Sequence, residues 1–144
     1  GDFEPPAALK APHKTVREAI EGLRSPCCVW EPIELKGPSS VNAWKPAHTL
    51  DKPARTLLAG HPVSGPSGHG YTLQLDDGTL RRFTIRELAE LQSFPLNYKF
   101  PPTWSHATHQ IGNACPPLLA RRFGESVLRT LVLRSLAITQ PLTE

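Results

Sequence analysis

Ten of the 16 prolines in this 144-residue chain lie at or before Pro66. Proline has a fixed φ and no backbone N–H, so it is kept out of helix interiors and central strands. The first half is therefore expected to be loop-rich and irregular, with most regular structure in the second half. The length allows one compact domain with a real core, and 39% hydrophobic and 20% charged residues are ordinary for a globular chain. No apolar run approaches the roughly 20 residues of a membrane span, so no membrane role is expected. Gly1-Asp2-Phe3-Glu4-Pro5-Pro6 has neither the basic flank nor the apolar stretch of a signal peptide. With no methionine anywhere, the chain is expected to be a processed or cleaved product, or a piece of something larger. A net charge of +3 permits contact with nucleic acid without arguing for it. Three cysteines, with Cys27 and Cys28 adjacent, make no disulfide framework and suit a reducing intracellular setting.

Local patterns place the elements. Residues 14–23 read as a short helix opened by a Thr15/Glu18 capping box, with Val16, Ala19, Ile20 and Leu23 on one face and Gly22 and Pro26 closing it. The pattern is lost from 25 to 54, where Trp30 and Trp44 are candidate anchors. Residues 55–59 are a short strand candidate running into Gly60, Gly65, Gly68 and Gly70, a stretch that admits close backbone approach to a partner. Tyr71, Leu73 and Leu75 alternate, Asp76-Asp77-Gly78 supplies a turn, and residues 80–83 return, which predicts a hairpin. A second capping box, Thr84/Glu87, opens a helix with Ile85, Leu88 and Leu91 inward and Pro95 as its stop. A loop then leads to Gly112-Asn113-Ala114-Cys115-Pro116-Pro117, where the last helix begins with proline in its first turn. Leu119, Phe123, Val127 and Leu131 fall four apart along it, widened by Leu118 and Leu128. That stripe calls for a large apolar surface to pack against.

Two blocks are specific when taken together. Arg81-Arg82-Phe83-Thr84-Ile85-Arg86-Glu87-Leu88-Ala89-Glu90-Leu91-Gln92-Ser93-Phe94-Pro95 is similar to the ninth ordered motif of the DNA cytosine-5 methyltransferases. Gln110-Ile111-Gly112-Asn113-Ala114-Cys115-Pro116-Pro117-Leu118-Leu119-Ala120 resembles their tenth, in the right order and spacing. Thr15-Val16-Arg17-Glu18-Ala19-Ile20 resembles the helix that precedes the family's target-recognition region. Thr56-Leu57 sits where that region carries its Thr-Leu, Thr-Val or Thr-Ile pair. The resemblance spans nearly the whole chain and is densest from 55 to 127. It implies an α+β fold: residues 1–83 an irregular, loop-rich target-recognition region with an N-terminal helix and a small β-hairpin, residues 84–144 helices that dock onto an α/β, Rossmann-like catalytic domain not contained here. The family's cofactor loop, Pro-Cys-Gln nucleophile, Glu-Asn-Val block and R-x-R block are absent from these 144 residues. Pro26-Cys27-Cys28 has cysteine where the family has glutamine, and reads as a structural pair.

By resemblance, the reaction moves a methyl group from S-adenosylmethionine to C5 of a cytosine turned out of duplex DNA, after thiolate attack at C6. This chain would read the DNA and complete the cofactor pocket, and a catalytic subunit or domain would supply the thiolate. Asn113, with Gly112 and Ala114 beside it, is the candidate for the cofactor's amino-acid end: an amide both donates and accepts, and a helix N-terminus favours a carboxylate. The blander role for Asn113 is a loop or capping residue. Thr56, Leu57, Gly60, Gly65, Gly68, His69 and Gly70 are candidates for base or backbone contact, although glycine loops are often plain turns. Arg55, Arg81, Arg82 and Lys99 are candidates for phosphate contact. Glu87 reads as a capping residue, and Arg86 as a residue that pairs or braces the two domains. His106, His109 and Cys115 lack the second ligand pair that zinc requires, so no metal is expected.

Two other readings compete: a stand-alone DNA-binding or regulatory module, and a non-enzymatic interaction domain that keeps the motifs as a packing scaffold. The setting implied is cytoplasmic and nucleoid-associated in a bacterium, or nuclear in a eukaryote.

Overall fold

A computed structural model describes residues 3, 5–8, 12–23, 47–59 and 71–139. By packing, the chain forms two compact units, residues 12–114 and residues 1–11 with 115–144. The first is a mixed α+β body and the second is built on one long helix.

Helix α1 (Val16–Ile20) is shorter than the expected 14–23, and its capping box is complete: Thr15 accepts from Glu18 N–H, and Glu18 accepts from Thr15 N–H. The next amides, Val16 and Arg17, donate to the carbonyls of Lys52 and Leu50 at 3.0 and 2.8 Å. The orphan donors of the helix end thus tie it to the segment beyond β1. Strand β1 (His48–Thr49) lies parallel to β2 (Thr72–Gln74), which pairs antiparallel with β3 (Leu80–Arg82) in a three-stranded sheet ordered β1-β2-β3. The hairpin is where the sequence pattern put it, closed by Leu75 N–H to Thr79 O at 2.8 Å, with Gly78 at φ 83°. Tyr71 and Leu73 point into the core as the alternation requires, but Thr72 is buried too, so both faces of β2 are covered.

The strand expected at 55–59 does not form. Residues 53–58 carry no ladder, and the strand lies instead at β1, outside the expected stretch. Side-chain bonds to this segment, described below, replace the ladder.

Helix α2 (Ile85–Leu91) has a second complete capping box on Thr84 and Glu87. It ends before Pro95. Ser93 takes φ 61°, and the Ser93 and Phe94 amides return to Glu90 O and Ala89 O at 2.8 and 2.9 Å. These are the paired bonds of a Schellman stop, with serine in the left-handed position usually given to glycine. Residues 104–113, expected as loop, form helix α3 (Trp104–Asn113). Its inward residues Trp104, Ala107, Thr108 and Ile111 follow the i, i+3, i+4, i+7 spacing, a signal diluted in the sequence by two histidines and a glycine. The core joins Val16, Leu50, Leu57, Tyr71, Leu73, Phe83, Leu88, Ala89 and Ile111, with α1 packed on α2 and α2 on α3.

In the other unit, α4 (Pro117–Thr139) starts with proline at its first position, where the missing N–H costs nothing, and Ala120 N–H reaches Pro116 O at 3.0 Å. Leu118, Leu119, Phe123, Val127, Leu128, Leu131, Val132 and Leu133 are all exposed. No helix among the described residues is long and apolar enough to cross a membrane.

Candidate functional site

The best-built surface feature of the α+β unit is the segment from Arg55 to Ala59 and what holds it. Leu57 is its inward anchor, 5% exposed and part of the core, while Arg55, Thr56 and Leu58 face outward. His48, buried on β1 with its ring edge-on to Phe83, accepts the Arg55 N–H at Nδ1 at 3.4 Å. Tyr71, at the start of β2, donates its hydroxyl to the Leu58 carbonyl and lies 3.5 Å from the Thr108 carbonyl of α3. Burial pushes the Tyr71 phenol above its ordinary value and keeps it a neutral donor. Gly112, near the end of α3, closes the arrangement. A Cβ there would stand 2.5 Å from Ala59 N and 2.8 Å from the Leu58 carbonyl carbon. Only glycine lets the two backbones meet so closely.

The structure thus brings the Thr56-Leu57 pair, 55 positions earlier in the chain, into one body with the Gly112-Asn113 turn. Asn113 is the last residue of α3 rather than the first of the following helix, and it is exposed. Its Nδ2 lies 3.1 Å from His109 Nδ1 one turn earlier. Ala114 follows in extended backbone. Gly112 belongs to the packing of the segment as much as to the turn. Gly60, Gly65, Gly68, His69 and Gly70 lie outside the described residues, as do Cys27, Cys28, Trp30 and Trp44.

The cations divide by what they touch. Arg81 pairs with Glu87 through two parallel bonds of 2.8 and 2.9 Å, with both side chains mostly buried, and it also donates to the Arg82 carbonyl. Such a fork-to-fork pair is geometrically specific, and it ties β3 to the cap of α2. Arg82 places its guanidinium 5.8 Å from the Trp104 ring centre. Arg55 and Lys99 are exposed. Arg86 is buried and donates to the carbonyls of Phe94, Pro95 and Leu96. Within these residues Arg86 fixes the turn after α2 by donating to three successive carbonyls of that turn. Lys99 lies in the chain between Tyr98 and Phe100, whose rings meet each other and that of Phe94 at tilted or edge-to-face angles.

Two residues that hold the site, His48 and Tyr71, were not singled out in the sequence for these roles. Neither carries a local signal, since each acts on a partner 7 or more positions away.

The exposed Asn113 amide, engaged through Nδ2 and followed by extended backbone, has the groups to donate and accept hydrogen bonds. Among the described residues no cluster of three or more His, Cys, Asp or Glu is positioned to hold a metal.

Comparison with known proteins gives a family. The pattern of the C-5 cytosine-specific DNA methylase family matches residues 10–129. The type II methyltransferase M.AplI of Arthrospira platensis is 45% identical over 82 residues, 57% of this chain and 24% of that protein. The DNA (cytosine-5-)-methyltransferase M.ApeKI of Aeropyrum pernix is 37% identical over 114 residues, 79% of this chain and 21% of that protein. The type II methyltransferase M.AgeI of Thalassovita gelatinovora is 46% identical over 113 residues, 78% of this chain and 24% of that protein. The chain spans no more than 24% of the length of any of these three relatives.

Proposed function

This chain belongs to the C-5 cytosine-specific DNA methylase family, and from that premise we propose that it is the DNA-reading and cofactor-pocket-completing portion of a DNA cytosine-5 methyltransferase. The catalytic thiolate then comes from a separate subunit or from a further domain. Residues 1–83 read the target and residues 84–144 carry the two motif helices that dock on the catalytic part. The observation that carries this reading is the packing of Gly112 on Leu58 and Ala59. It holds a candidate DNA-contact segment and a candidate cofactor turn against each other in one compact unit. A shift in one is then felt by the other.

Thr56, Arg55 and the Gly60, Gly65, Gly68, His69 and Gly70 stretch meet the duplex, with Leu57 contributing by anchoring Thr56. Arg82 and Lys99 approach phosphates, and Arg81 sets the position of β3 through Glu87. Asn113 meets the amino-acid end of S-adenosylmethionine, with Gly112 and Ala114 shaping the backbone around it. When bound, that cofactor supplies the methyl group. The exposed apolar face of α4 is the docking surface for the catalytic part, because burying it is worth roughly 25 cal/mol per Å² of apolar area removed from water.

The test is a gentle pull-down of the chain, with mass and sequence of what co-elutes, followed by transfer of labelled methyl to duplex DNA. A partner chain, or a longer form of this chain, that carries the cofactor loop and a Pro-Cys-Gln site and transfers methyl to cytosine supports the proposal. Salt-dependent binding of duplex DNA by the chain with no such partner and no transfer overturns it in favour of a binding module.

A further inference from the structure

The side chain next to Asn113 carries a step that rests on the reading of Asn113 as a cofactor contact. An unrestrained asparagine amide turns about its last torsion and presents either its NH2 or its carbonyl oxygen. Asn113 is not unrestrained: its Nδ2 is 3.1 Å from His109 Nδ1, and both residues sit on one side of the last turn of α3. With the amide nitrogen donating, Nδ1 accepts and the neutral ring carries its proton on Nε2. The amide is then fixed with its carbonyl oxygen turned away from the ring. A carbonyl oxygen so presented accepts from an ammonium group and rejects a carboxylate.

We propose that His109 is a positioning residue: it locks the Asn113 amide so that Oδ1 receives the ammonium of the cofactor's amino-acid end. Protonation of the ring reverses the arrangement. Nδ1 becomes a donor, the amide must turn over to offer it Oδ1, and NH2 together with a new positive charge faces the ammonium. Among the described residues, the charged and titratable groups on elements packed against α3 have contacts of their own: Arg82 lies over the Trp104 ring, and Tyr71 donates to the Leu58 carbonyl. Arg86 is bonded to the 94–96 carbonyls, Glu87 to Arg81 and Glu90 to Lys14, all on α2. Leu58 and Ala59, against Gly112, carry no titratable side chain. His106, on α3 itself, is exposed.

Two measurements test this. In the full 15N-labelled chain, the Asn113 side-chain amide signals are followed alongside those of the His109 ring as the pH is lowered. They are expected to move with the His109 ring and to stay still in His109→Asn. An amide indifferent to His109 overturns the proposal. In the complete methyltransferase, His109→Phe is expected to raise KM for S-adenosylmethionine about 2- to 10-fold, the worth of one hydrogen bond, with kcat little changed. His109→Asn, whose Oδ1 can take the place of Nδ1, restores KM and removes its pH dependence. If Asn113→Ala raises KM and His109→Phe does not, positioning by His109 is wrong and the cofactor contact stands. If Asn113→Ala has no effect either, the reading of Asn113 itself fails.

Discussion

A methyl group added at position 112 would press on backbone alone: Ala59 N at 2.5 Å, Ala59 Cα and the Leu58 carbonyl carbon at 2.8 Å. None of these three nearest atoms belongs to a flexible side chain that could move aside. Alanine would gain about 1 kcal/mol of helix propensity over glycine, but overpacking typically costs 1–3 kcal/mol, and contact with rigid backbone puts this case at the upper end. Gly112→Ala is therefore expected to lower stability by about 1–2 kcal/mol. Urea unfolding checks it, through a lower midpoint at unchanged slope. An unchanged midpoint would mean that α3 and the 55–59 segment part without cost, and the coupling between them would go with it.

Between elements, Arg17 joins α1 to two loops. Arg17 on α1 donates to Asp51 beyond β1 at 2.9 Å and to Asp76 at the hairpin turn at 2.7 and 3.0 Å. The Asp76 bond, then the Asp51 bond, hold the guanidinium firmly charged, and the same Arg17 bond holds the Asp76 carboxyl below its ordinary 3.8. The folded-state value lies under the unfolded one. The contribution of Asp76 is therefore complete above about pH 4 and fades as pH falls through the lower, folded value. Asp76→Asn is expected to melt earlier than the native chain near neutrality, by a small margin because these groups are exposed. The two melting curves are expected to converge as pH falls through that lower, folded value. Thermal melts across that range check it, and a gap that persists in acid would rule out the charge as its source. Arg81 and Glu87 perform the equivalent task between β3 and α2 from a mostly buried position.

For the molecule as a whole, α4 is the open question that energetics poses. Its apolar residues run from Leu118 to Leu133, with Leu118, Leu128 and Leu133 about 60% exposed, and contiguous apolar surface of this kind marks an interaction site. The isolated chain is expected to self-associate or to bind an apolar dye strongly, and to lose both properties when its partner surface covers α4. Sedimentation at several concentrations, with dye fluorescence alongside, decides this. A clean monomer that binds no dye would remove the argument for a docked catalytic part.

The amino-acid sequence by itself determined what depends on neighbours within a few positions. Both capping boxes, the hairpin with Gly78 in its turn, and the proline start of α4 were legible because each rests on residues close together in the chain, and the ordered pair of motifs carried the family. Only the tertiary structure decided what spans longer distances. The strand formed at 48–49 rather than at 55–59, since the later segment was taken up by the His48 ring, the Tyr71 hydroxyl and the Gly112 backbone. Residues 104–113 became a helix because Ile111, Ala107 and Thr108 found a core assembled from elsewhere in the chain. Ser93 accepted a left-handed backbone because two carbonyls of α2 needed donors at that point. Burial and long-range hydrogen bonding outweighed local preference in each case, and the candidate site lies where those long-range contacts converge.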